Sequence, residues 1–72
     1  MKRSELLRKL TAIAAAKGYT LELVREGGNH TIYRIGASQF PVGRHNDVPE
    51  MTARKTIAAA EKLPDAPKEE RK

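Results

Sequence analysis

His30 stands at the head of a β-branched and aromatic run, Thr31-Ile32-Tyr33-Arg34-Ile35, directly after Gly27-Gly28-Asn29. Imidazole titrates near neutral pH, so a histidine there gives or takes a proton under ordinary conditions. Gly27 and Gly28 admit positive φ and let a bound group approach the backbone closely, and Asn29 tolerates the left-handed region. Successive N–H groups in such a turn form a small anion-binding concavity. A histidine at this loop-to-strand junction is held by a rigid element yet open to solvent, the arrangement wanted for acid/base chemistry on an anionic group. The bland alternative is a surface histidine beside an ordinary hairpin turn. The second histidine, His45, lies in the polar loop Gly43-Arg44-His45-Asn46-Asp47. Beside Arg44 it is within reach of a phosphate, although a polar histidine capping the following helix is the favoured reading.

Size and composition bound what such residues can do. A chain of 72 residues makes one small domain that buries only about 60% of its unfolded surface. An active site here is a shallow surface, better suited to a polymer than to an enclosed metabolite. Cysteine is absent, which excludes disulfides and thiolate chemistry and fits a reducing cytosol. With two histidines fifteen residues apart and scattered carboxylates, the sequence offers no recognisable metal-ligand set. No apolar run approaches the roughly 20 residues of a membrane span, and no signal-peptide core follows Met1-Lys2-Arg3. The expectation is a soluble cytoplasmic protein without a membrane partner. The net charge is +5, and from Pro64 onward Lys68, Arg71 and Lys72 balance Asp65, Glu69 and Glu70. The whole excess therefore belongs to residues 1 to 63, and a basic folded part favours nucleic acid or an acidic protein as partner.

The elements that would position these residues follow from periodicity. Leu6, Leu10, Ile13 and Ala14 recur at helical spacing, widened by Leu7, with Ser4 as N-cap and Gly18 as the stop. Arg3, Arg8, Lys9 and Lys17 lie off that stripe and form a basic exposed side on which Lys9 is a candidate RNA contact. Tyr19 to Arg25 alternates as a half-buried strand. A second strand runs from His30 to Ile35, with His30, Ile32 and Arg34 on one side and Thr31, Tyr33 and Ile35 on the other. His30 and Arg34 then share a face about 13 Å apart along the strand, within reach of one RNA backbone. Tyr33 is read as core before base-stacking. Gln39 to Val42 forms a third, short strand, which Pro41 confines to an edge and whose Phe40 and Val42 face the core. Asp47 or Val48 caps a second helix that starts at Pro49 and buries Ala53, Ile57 and Ala60, helped by Met51 and Leu63. Pro64 ends it, and residues 64 to 72 are expected to be a disordered charged tail. Both helices must cover the one apolar face of a three-stranded antiparallel sheet. The fold expected is α+β, in the α-β-β-β-α layout of double-stranded-RNA-binding domains.

Four segments, in order and at matching spacing, resemble a known family. They are Leu6-Leu7-Arg8-Lys9-Leu10, Gly28 to Gly36 (GNHTIYRIG), Pro41-Val42-Gly43-Arg44-His45 and Asn46-Asp47-Val48-Pro49. Across about residues 3 to 63 the chain is similar to HicA toxins of bacterial toxin-antitoxin systems. The resemblance implies a double-stranded-RNA-binding-like fold, ribonuclease activity on mRNA, and inhibition by a cognate HicB antitoxin that covers the His30 face. The family's catalytic histidine follows a Gly-Ser pair; the matching residue is His30, with Gly28 as the glycine. Asn29 replaces the serine, and Thr31 replaces a second histidine.

RNA carries its own nucleophile, the 2′-hydroxyl, so cleavage requires neither a metal nor a cofactor. A histidine acting on that hydroxyl contributes about 10² to 10⁴-fold, and basic groups near the phosphorane stabilise its charge. The expected roles are His30 as base or acid, Arg34 and Arg44 as phosphate partners, and the Gly27 and Gly28 amides as oxyanion donors. A non-catalytic RNA-binding module, or a small protein whose basic face meets an acidic partner, accounts for the same topology and charge.

Overall fold

Leu6, Leu10 and Ala14 lie four residues apart, and all three are fully buried in a computed structural model that describes residues 1–66. They form the inner stripe of α1 (Arg3–Ala16). The chain continues through β1 (Leu21–Glu26), β2 (His30–Ile35) and β3 (Ser38–Gly43) to α2 (Glu50–Glu61), the α-β-β-β-α order that the periodicity predicts. The strands make one antiparallel sheet in the order β1-β2-β3. Along β2 the pleat alternates as expected. Thr31 and Ile35 are buried and Tyr33 is half-buried, while His30 and Arg34 are exposed.

The core is one cluster in which Leu6, Leu10 and Ala14 of α1 meet Ile35, Phe40 and Val42 of the sheet, Val48, and Ala53 and Ala60 of α2. The alanines of α2 give no bulk, so the helix axis can lie close. Ile57 and Leu63 pack partly against this cluster. Met51 does not: it is 67% exposed, because its place in the first turn faces away from the Ala53-Ala60 seam.

Two glycines close the corners. Gly18, at φ +88°, follows the C-cap residue Lys17 and ends α1. Gly36 alone has positive φ in the two-residue link between β2 and β3, the type II′ pattern that matches strand twist. A Cβ on Gly36 would also come within 2.8 Å of the Tyr19 ring.

Several local expectations are corrected. β1 is not half-buried: Leu23 is 54% and Val24 39% exposed. The core holds no fully buried β1 residue: Leu21 packs partly against it, and beyond Leu23 the strand's alternation is interrupted by a register irregularity. Val24 is the extra residue of an irregularity that pairs Leu23 with Tyr33 and Arg25 with Ile32, and so turns Arg25 to the Ile32 side. The α1 N-cap is Lys2, not Ser4, and the α2 N-cap is Pro49, one or two residues later than expected; neither makes a side-chain cap bond. Instead the Arg3 N–H, at the start of α1, donates to the Asn46 carbonyl at 2.7 Å, and the Val48 N–H, just before α2, donates to Met1 O at 2.7 Å, so the segments leading into the two helices bond to each other. Arg3 is half-buried and structural, not part of an exposed basic side. Pro64 to Ala66 do not trail away, since Ala66 N–H donates to Lys17 O at 2.7 Å. The rest of the expected tail, 67–72, lies outside the described residues. Among the described residues no helix is long and apolar enough to cross a membrane.

Candidate active site

His30 opens β2, and its partner across the sheet is Gly43, the last residue of β3. That pairing brings the loop after β3 alongside His30. His30, His45 and Asp47, with Pro41, Thr52 and the start of α2, line one open cleft of about 360 Å³. Both imidazoles are exposed. Among the described residues neither imidazole is hydrogen-bonded to a protein atom. Both are therefore free for a ligand in the cleft.

Two arginines hold this corner together. The Arg44 N–H donates to Asn29 O at 3.3 Å, and its Nη1 donates to Gly27 O at 3.0 Å. Its Nη2 lies 3.7 Å from the Glu26 carboxylate. Arg44 thus ties the turn before His30 to the loop that carries His45, although it is not among the residues that line the cleft. Arg3 braces the pair from below. Its Nε donates to Gly43 O at 2.9 Å and its Nη2 to the Thr31 hydroxyl at 3.2 Å. Thr31 is 2% exposed, so Arg3 supplies a partner for a buried hydroxyl next in sequence to His30.

The turn itself differs from expectation. Only Gly18 and Gly36 have positive φ among the described residues, so neither Gly27, Gly28 nor Asn29 adopts the left-handed geometry expected of an anion-binding turn. Gly27 is needed for closeness instead, since a Cβ there would lie 3.2 Å from His30 O. Its N–H already donates to that oxygen at 2.8 Å and is not a free oxyanion donor. Gly28 is open: a Cβ at this position would meet nothing within 4 Å.

Other sequence-derived residues are dispersed. Arg34 shares the open face of β2 with His30 but sits toward its far end, paired with Glu22. An exposed pair of this kind is worth about 0 to 1 kcal/mol and opens readily to a phosphate. Lys9 lines a separate groove between the helices with Met1, Ala12, Ile57 and Glu61. His45 does not cap α2, whose N-terminus has no side-chain cap; the loop carries the imidazole into the cleft. Asp47 and Arg3 went unrecognised as parts of this corner. The sequence held a signal for the first: counting outward from Gly36-Ala37 pairs Ile35 with Ser38 and so His30 with Gly43. For Arg3 no local signal exists, because its partners lie 28 and 40 residues away.

No protein-family model, curated protein or solved structure matches the chain.

Proposed function

We infer that this protein is a metal-independent endoribonuclease of the HicA type. On this reading it is the toxin of a bacterial toxin-antitoxin pair, cuts mRNA in the cytoplasm with His30, and is silenced by a HicB-type antitoxin covering the His30 face. One observation carries the reading. His30 is an exposed imidazole without a protein hydrogen bond among the described residues, fixed at the end of a central strand and facing an open cleft. An open cleft suits a polymer, and a +5 chain suits an anionic one. The α-β-β-β-α order and the four motif segments of residues 3 to 63 add support.

The chemistry requires little machinery. A base takes the 2′-hydroxyl proton, the 2′-oxygen attacks phosphorus, and the bond to the 5′-oxygen breaks. The products are a 2′,3′-cyclic phosphate and a 5′-hydroxyl. Arg44, next to His45 in the loop, would have to leave its exposed contacts with Gly27 O and Glu26 to supply positive charge for the phosphorane.

Induced expression of wild type and His30→Ala in a bacterial host, following growth and mRNA integrity together, tests the reading. Wild type is expected to stop growth with mRNA fragmentation, and a soluble, folded His30→Ala is expected to do neither. Salt-dependent RNA binding without fragmentation in either form would replace this reading with a non-catalytic RNA-binding module. For the partner, NMR mapping of an adjacently encoded antitoxin should perturb His30, His45 and Arg44; perturbation confined to the Lys9 groove would reject direct occlusion.

A further inference from the structure

We propose that His45 is the second proton-transfer group of this cleft, working with His30 on the two oxygens of one phosphodiester. The proposal rests on the ribonuclease reading and goes beyond its single catalytic histidine.

Cleavage through the 2′-hydroxyl moves two protons: one leaves the 2′-oxygen as the P–O2′ bond forms, and one must reach the 5′-oxygen as the P–O5′ bond breaks. One imidazole that serves both needs must cross from one side of the phosphorus to the other. Two imidazoles carried on different segments can divide the two transfers between them, and each transfer by a positioned group contributes about 10² to 10⁴-fold. His30 and His45 stand on different segments, the first residue of β2 and the loop after β3, and line the same cleft of about 360 Å³. That volume falls in the ordinary range for ligand sites of roughly 300 to 1,000 Å³.

Their relative placement is fixed by the backbone. Gly43, the register partner of His30, lies two residues before His45. The Arg44 bonds to Asn29 O and Gly27 O clamp the two segments together. Neither imidazole has a competing structural bond among the described residues, and α2 makes no use of His45 as a cap.

Position 31 offers no alternative. Thr31 is buried, points to the core side of β2 and accepts a hydrogen bond from Arg3. A side chain there faces away from His30, because successive strand residues point to opposite faces. The second imidazole of this cleft therefore comes from the loop. When the 5′-hydroxyl product leaves, one histidine has gained a proton and the other has lost one, and exchange with water restores both.

The test uses the full chain and a synthetic oligoribonucleotide centred on a bond that the wild type cuts. It is made in two forms, one natural and one with sulfur replacing the scissile 5′-oxygen, a leaving group that needs no proton. His45→Gln is expected to fold as wild type, checked by thermal melting, and to cut the natural form about 10² to 10⁴-fold more slowly. Of His30→Gln and His45→Gln, one is expected to recover most of its rate on the sulfur form and the other to stay slow, which also assigns acid and base. Natural RNA cut by His45→Gln within severalfold of wild type would overturn the proposal, as would failure of the sulfur form to rescue either variant. Either result with an active wild type leaves the ribonuclease reading standing, whereas an inactive wild type removes that reading itself.

Discussion

The two ends of β2 use glycine for opposite purposes. At the Ile35 end, Gly36 takes φ +61° and lies against the Tyr19 ring, so the turn is conformationally and sterically fixed. At the His30 end, Gly27 and Gly28 have no positive φ, and Gly28 faces open space. One end is built for folding, and the other leaves a histidine uncovered. Glycine in a turn thus marks different constraints, which only the backbone angles and neighbours separate.

The contrast can be broken at either end. The largest effect should come from His30→Ala, with RNA cleavage falling about 10² to 10⁴-fold and the melting temperature unchanged. At the other end, Gly36→Ala should destabilise the fold by about 2 kcal/mol or more, from left-handed strain of roughly 1 to 2 kcal/mol plus the Tyr19 clash; urea denaturation reads it. Arg3→Ala should cost about 1 to 3 kcal/mol, since the buried Thr31 hydroxyl loses its partner. Because Arg3 also holds Gly43 O, cleavage should fall with it. Thr31→Val in the Arg3→Ala background should recover part of the stability. The smallest effect belongs to Gly28→Ala, which should leave stability within about 1 kcal/mol of wild type or raise it slightly. A loss of RNA cleavage in that folded variant would sharpen the contrast, assigning the open space at Gly28 to the approach of substrate.

The parts of this fold legible in the sequence are those set by local repetition. Leu6, Leu10 and Ala14 announce α1, the alternation from His30 to Ile35 announces β2, and Gly18 announces a helix stop. Pro41 falls on an edge strand, as its missing N–H requires. What failed depends on distant partners. β1 reads as half-buried because Leu21 and Leu23 alternate with polar residues, yet burial is decided by where the helices lie. The caps at Ser4 and Asp47 are good local choices that went unused, because the segments before the two helices bond to each other. At the candidate site, the exposed place of His30 at the head of β2 was legible from the strand's alternation, whereas the left-handed turn expected before it did not form. Its companionship with His45 depends on hairpin register, and the bracing role of Arg3 on contacts spanning half the chain.

The most direct measurement is cleavage of RNA by the purified full chain and by His30→Ala, in excess EDTA, with chemical analysis of the new ends. The wild type should yield 5′-hydroxyl and 2′,3′-cyclic phosphate ends, and the variant should be at least about 100-fold slower. Equal cleavage by the two proteins, or no cleavage by a folded wild type, would contradict a histidine-dependent, metal-independent ribonuclease.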